Sequence, residues 1–198
     1  MSVPPPKTKL EAWRRWAAGV ERCRVCWTQQ ELTQQRLIDL PIYTDEPRAV
    51  LVGEAPSLYR TEPGITFGGR SKEVYEAFLD AANLDRSEVY GTNVVKCALT
   101  RKRVGVHKNC VRWLFRELEI LKVHSVIVFG RSAIEAVGGP SSIKMTTGEF
   151  YSHDIRFLTY PHPMLAIYHP EARESYIAGA SSLFKRLQVK PKSLKDFI

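Results

Sequence analysis

A chain of 198 residues with 44% apolar composition can bury one proper hydrophobic core, and its length favours a single domain of α/β size. Lys and Arg outnumber Asp and Glu 29 to 21, a net charge of +8, which makes polyanions the first partner class to test. No apolar run approaches the roughly 20 residues that span a bilayer, and residues 1–9 lack the apolar centre of a signal peptide. The expectation is a monomeric, intracellular protein without membrane contact. One domain over residues 1–198 is expected, with 1–9 a flexible leader and 188–198 a Lys-rich tail.

From about Leu10 a helical pattern puts Leu10, Trp13, Ala17 and Val20 on one face. Cys23 and Cys26 follow, a pair spaced so that both sulfurs can turn toward one metal. Cys97 and Cys110 are the remaining cysteines. In a chain read as intracellular, four cysteines point to metal before disulfides, with buried free thiols as the plain alternative for Cys97 and Cys110.

Residues 49–52 form an apolar run of strand length that ends at Gly53, and Glu54, Ala55, Pro56 and Ser57 follow. Ligands of open parallel sheets sit outside the carboxyl ends of strands, so Glu54 stands where chemistry is expected. Gly64, Gly68 and Gly69 surround Phe67, giving either a stacking face for a flat ligand or a glycine-rich turn around a core aromatic. Residues 71–82 read as a helix that Ser71 can cap, with Val74, Ala77, Phe78 and Ala81 inward. A β-rich run over 89–97 carries Asn93, whose amide can read the edge of a base or satisfy loop backbone. Arg101, Lys102 and Arg103 make a basic loop, either a solvated face or a set of phosphate contacts.

Residues 107–121 form an amphipathic helix, with Val111, Leu114, Phe115, Leu118 and Leu121 inward and Cys110 in its first turn. Residues 125–129 are a strand of the kind buried on both faces. A helix over 133–137, a strand over 155–160 and a final helix over 171–187 complete the pattern. After the last strand come two His-Pro pairs, His162-Pro163 and His169-Pro170, where proline restricts the loop that holds the imidazole. Alternating strands and helices specify a three-layer α/β/α fold with a central four-stranded, mainly parallel sheet. Glu54, Asn93 and either His162 or His169 then converge at strand ends, with Phe67 beside them, as suits a flat heterocycle.

These residues resemble the iron-sulfur uracil-DNA glycosylases often called family four. The likeness lies in Gly53-Glu54-Ala55-Pro56, in Gly64 through Phe67 to Gly68, in Thr92-Asn93-Val94-Val95-Lys96-Cys97, in a late His-Pro and in the order of the cysteines. The resemblance implies a uracil-DNA glycosylase-like fold and hydrolysis of the base–sugar bond of uracil or a modified pyrimidine in DNA. It also implies a mainly structural 4Fe-4S cluster on Cys23, Cys26, Cys97 and Cys110. By the same likeness, Glu54 positions water, Gly53, Ala55, Phe67 and Asn93 hold the flipped base, and the motif histidine donates to the base oxygen. His162 is preferred to His169 because it lies closer to the strand end. Leu165 and Ile167 become candidates for a wedge, and Lys96, Arg101, Lys102 and Arg103 for a DNA-binding face.

Three departures bear on the substrate. Ser57 stands where the family usually has Gly, residues 59–61 replace an acidic stretch, and the loop from Cys97 to Cys110 is short. In one relative a histidine of this region bonds covalently to the sugar, and His107 lies in the comparable loop. Two other classes compete: a nucleic-acid-binding protein without base excision, and a zinc-bound structural protein.

Overall fold

The computed structural model describes residues 5–26, 38–57, 64, 66–98, 105–140 and 147–188. Arg101, Lys102 and Arg103, the departures at 59–61, residues 1–4 of the leader and residues 189–198 of the tail lie outside them.

Strand β1 (Ala49–Gly53) is buried at every position, yet its side chains go two ways, as period-2 backbone requires. Ala49 and Leu51 join a cluster with Val74, Tyr75 and Phe78 of helix α2 (Lys72–Ala81). Val50 and Val52 join another with Leu114 and Leu118 of helix α3 (Val106–Leu121). Strand β2 (Val89–Asn93), strand β3 (Ser125–Phe129) and strand β5 (Ile155–Tyr160) lie parallel to β1. Helix α6 (Arg173–Gln188) covers the first face beside α2, and helix α4 (Arg131–Ala136) covers the second beside α3. The arrangement is the expected three-layer sandwich.

The sheet has five strands, not four, in the order β2-β1-β3-β5-β4. The added strand, β4 (Gly148–Ser152), is antiparallel to β5 at the edge. Its residues alternate between half-buried and exposed, so it lacks the continuous apolar run that marks the inner strands. Chain order reverses at β1, where β2 lies on one side and β3 on the other. That switch point opens a crevice at the carboxyl ends of the strands.

Helix α1 (Lys9–Arg22) packs its Trp16, Ala17 and Val20 against Ile120 of α3. Thr8 caps it by accepting the Glu11 N–H at 3.1 Å. Ser71 does not cap α2 with its side chain. It sits in right-handed helical backbone, and its hydroxyl turns back toward the Phe67 carbonyl at 3.5 Å. The segment after β5 is not an open loop: helix α5 (Met164–Tyr168) occupies it. A 3-10 turn at Pro170–Ala172 then leads into α6.

Candidate active site

Loops leaving β1 and β2 run side by side past the sheet. The Val94 N–H donates to the Gly53 carbonyl and the Val95 N–H to the Glu54 carbonyl, both at 2.9 Å. Glu54 is thereby fixed alongside Asn93. Gly53 permits that approach, because a Cβ there would lie 2.5 Å from Asn93 Oδ1 and 3.1 Å from the Phe67 ring. Phe67 adopts a positive φ of 62°, uncommon for a bulky side chain and held here by its packing. Its ring stacks on Tyr75 at 4.8 Å and meets Phe129 edge-on at 5.2 Å.

Beneath these groups is a cavity of ≈ 210 Å³ lined by Asp39, Ala55, Thr66, Phe67, Asn93 and His162, among others. Drug-sized ligands occupy pockets of roughly 300–1,000 Å³, so this volume suits a smaller group such as a single heterocycle. His162 follows β5 directly, and its ring centroid is 5.8 Å from that of Phe67. The Met164 N–H donates to His162 Nδ1 at 3.1 Å, which makes Nδ1 the acceptor and leaves the proton of the neutral ring on Nε2. Burial pushes its pKa below the ordinary 6.5, and the Glu54 carboxylate pulls the other way. Burial wins, and near neutral pH His162 is an uncharged imidazole with one N–H to offer.

His169 is not part of this cavity. Its side chain is 56% exposed, and Nδ1 lies 3.1 Å from Glu171 beyond the end of α5. Leu165 is half-buried on α5, whereas Ile167 leans against the core. Tyr168 is 65% exposed. The expectation that Lys96 belongs to a DNA-binding face is corrected. It is 1% exposed, and its ammonium donates to Glu117 Oε2 at 2.5 Å, Thr92 Oγ1 at 2.7 Å and the Asn93 carbonyl at 2.6 Å. A buried ammonium persists only when its donors are matched, and Glu117, 0% exposed, is the matching anion.

One residue at the site escaped the sequence reading, as did one contact of another. Asp39, 7% exposed, lines the cavity and accepts the Gly64 N–H at 2.8 Å. Its signal was a lone carboxylate between Ile38 and Leu40. His107 places Nε2 3.1 Å from Glu54 Oε1, a contact between residues 53 positions apart that no local pattern announces.

Cys110 is buried, and Cys26 packs against the same small cluster. Cys97 and Cys26 are near enough to act electrostatically on the Cys110 thiol, which burial pushes up to about 11. The Lys96 N–H donates to Cys110 Sγ at 3.3 Å, the kind of contact that cluster thiolates accept. Among the described residues no group of three or more ligand side chains could hold a single metal ion.

A family model for the uracil DNA glycosylase superfamily matches residues 40–188. The chain belongs to that superfamily. It is similar to the type-4 uracil-DNA glycosylase of Archaeoglobus fulgidus, 25% identical over 190 residues that cover 89% of this chain and 94% of the relative. A type-4 uracil-DNA glycosylase of Saccharolobus solfataricus is 26% identical over 163 residues, covering 75% and 76%. One from Sulfurisphaera tokodaii is 29% identical over 140 residues, covering 63% of each chain.

Proposed function

We propose that this protein is a DNA glycosylase that hydrolyses the base–sugar bond of uracil in DNA after extruding the nucleotide. The observation that carries the reading is the meeting of Asn93 and His162, from two parallel strand ends, on a cavity walled by Phe67, with Glu54 of a third strand end near enough to His162 to act on it electrostatically. Cleavage leaves electron-poor sugar and a base that departs as an anion, so catalysis needs a donor aimed at the base and a placed water. His162 supplies the donor: its Nε2–H meets the developing charge on the base oxygen without first carrying charge of its own. Asn93 offers both an acceptor and a donor to the pyrimidine edge, and Phe67 stacks on the ring. Glu54 orients the water and takes its proton.

Extruding a base costs a few kcal/mol of stacking and pairing. Leu165 is the wedge candidate on α5, with exposed Tyr168 beside it. Arg101, Lys102 and Arg103 are proposed as phosphate contacts, in keeping with the net charge of +8. Cys23, Cys26, Cys97 and Cys110 are proposed to hold a 4Fe-4S cluster, which would tie together the segment after α1, the loop after Asn93 and the start of α3. A DNA substrate implies an intracellular setting.

The deciding experiment incubates the cluster-loaded protein with oligonucleotides carrying uracil or a modified pyrimidine, followed by alkaline strand cleavage. Cleavage at uracil is the expected result. Cleavage only at a modified pyrimidine would move the substrate assignment, and DNA binding without cleavage at any base would overturn the reading. Iron and labile sulfide are expected in anaerobically prepared protein, and zinc in their place would refute the cluster.

A further inference from the structure

We infer that His107 is a positioning residue for Glu54, an inference that rests on the glycosylase reading. The Nε2 to Oε1 separation is 3.1 Å. An ionised carboxylate only accepts hydrogen bonds, so His107 must donate from Nε2. The Glu54 side chain is 46% exposed, and a carboxylate so open to solvent samples several rotamers unless something holds it. A general base acts only when held within hydrogen-bond reach of its water. With Oε1 engaged by His107, Oε2 is the oxygen left for the water.

The mounting of the histidine is rigid. It lies in the first turn of α3, and Cys110 stands three positions on, on the same side of the helix. Val106 and Cys110 are buried against Val95, and Ala55, the neighbour of Glu54, packs on the same cluster. The Lys96 N–H ties Cys110 to the β2 loop at 3.3 Å. The segment that carries the proposed cluster ligand thus also sets the distance from His107 to Glu54. Exposed pairs contribute little to folding, so the contact acts on orientation rather than on stability.

The test compares single-turnover excision of uracil, DNA affinity, melting temperature and iron content in wild type, His107→Phe, His107→Gln, Glu54→Ala and the Glu54→Ala/His107→Phe double variant. Loss of a hydrogen bond to a charged group should slow His107→Phe by at least about tenfold. Its DNA affinity, melting temperature and iron content should match wild type. His107→Gln, which returns an N–H near the same point, should recover most of the rate. In the Glu54→Ala background His107→Phe should add nothing, because its partner is already gone. A wild-type rate for His107→Phe, or a full additional loss on Glu54→Ala, overturns the inference while leaving the glycosylase reading intact. A His107-dependent protein–DNA adduct that survives denaturation also overturns it, since the residue would then be a nucleophile. Wild-type protein that excises no base sinks the glycosylase reading and this inference with it.

Discussion

The cavity and the buried polar network behind it are built from the same short stretch of chain, and they treat charge in opposite ways. Asn93 lines the cavity, while Thr92 and Lys96 turn into the protein toward Glu117. There Tyr90 donates to Glu117 Oε1 at 2.6 Å, and Trp13 Nε1 donates to the Tyr90 hydroxyl at 2.8 Å. Every member of that chain is matched, and no group in it is left to do chemistry. Outside the network, Glu54 and His107 remain partly exposed, and at the cavity His162 keeps an N–H for a ligand. Buried charge here fixes the backbone of Asn93, through the Lys96 bond to its carbonyl, and the half-exposed charge of Glu54 is the one proposed to act on the substrate. Sequence proximity to a site therefore says little about which of the two jobs a charged residue has.

The largest expected effect comes from breaking the network. Lys96→Met leaves Glu117 buried without its cation, which should cost about 3–5 kcal/mol and lower the melting temperature by on the order of 10 °C. A paired Lys96→Met/Glu117→Leu variant should recover much of that stability, and thermal unfolding of both decides it. If Lys96 instead contacted DNA, the single variant would keep its melting temperature and lose affinity.

Next in size is His162→Ala. Removing one donor to a developing anion should reduce single-turnover excision by about a hundredfold or more, with little change in melting temperature. Smaller again is the response to acid. The pKa of His162 is depressed below 6.5 in the folded protein, so the unfolded chain takes up its proton first as pH falls. Its contribution to stability is complete above 6.5 and is lost as pH falls through the depressed folded value. Protonation also places a second donor against the Met164 N–H, which disturbs the ring. The excision rate should fall on the acid side with a midpoint below 6.5, and the residual rate of His162→Ala should lack that limb. The smallest effect belongs to His169→Ala. An exposed pair with Glu171 contributes little to stability, and excision kinetics should change by no more than about threefold. A reversal of the two histidines in the same assay would place the catalytic loop at Tyr168.

Much of the fold was legible because burial leaves local marks. Continuous apolar runs at 49–52 and 125–129 marked central strands, and a 3.6-residue stripe marked α3. Polar residues just past such runs, Glu54 and His162, stood out because a sheet that buries both faces leaves its strand ends for chemistry. The edge strand β4 left no such mark, because its half-exposed alternation resembles a loop. Lys96 could not be assigned from local pattern either: next to a basic run it reads as surface, and Glu117, which makes it interior, lies 21 positions away on helix α3. The same holds for His107. Its helix, its register and its nearness to Cys110 follow from the chain order, but its contact with Glu54 depends on how α3 packs against the loop after β1. Local sequence determined which groups stand at the ends of elements, since periodicity and turn chemistry act over a few residues. Tertiary packing alone decided which of those groups meet, since the partners come from separate elements brought together by a shared core.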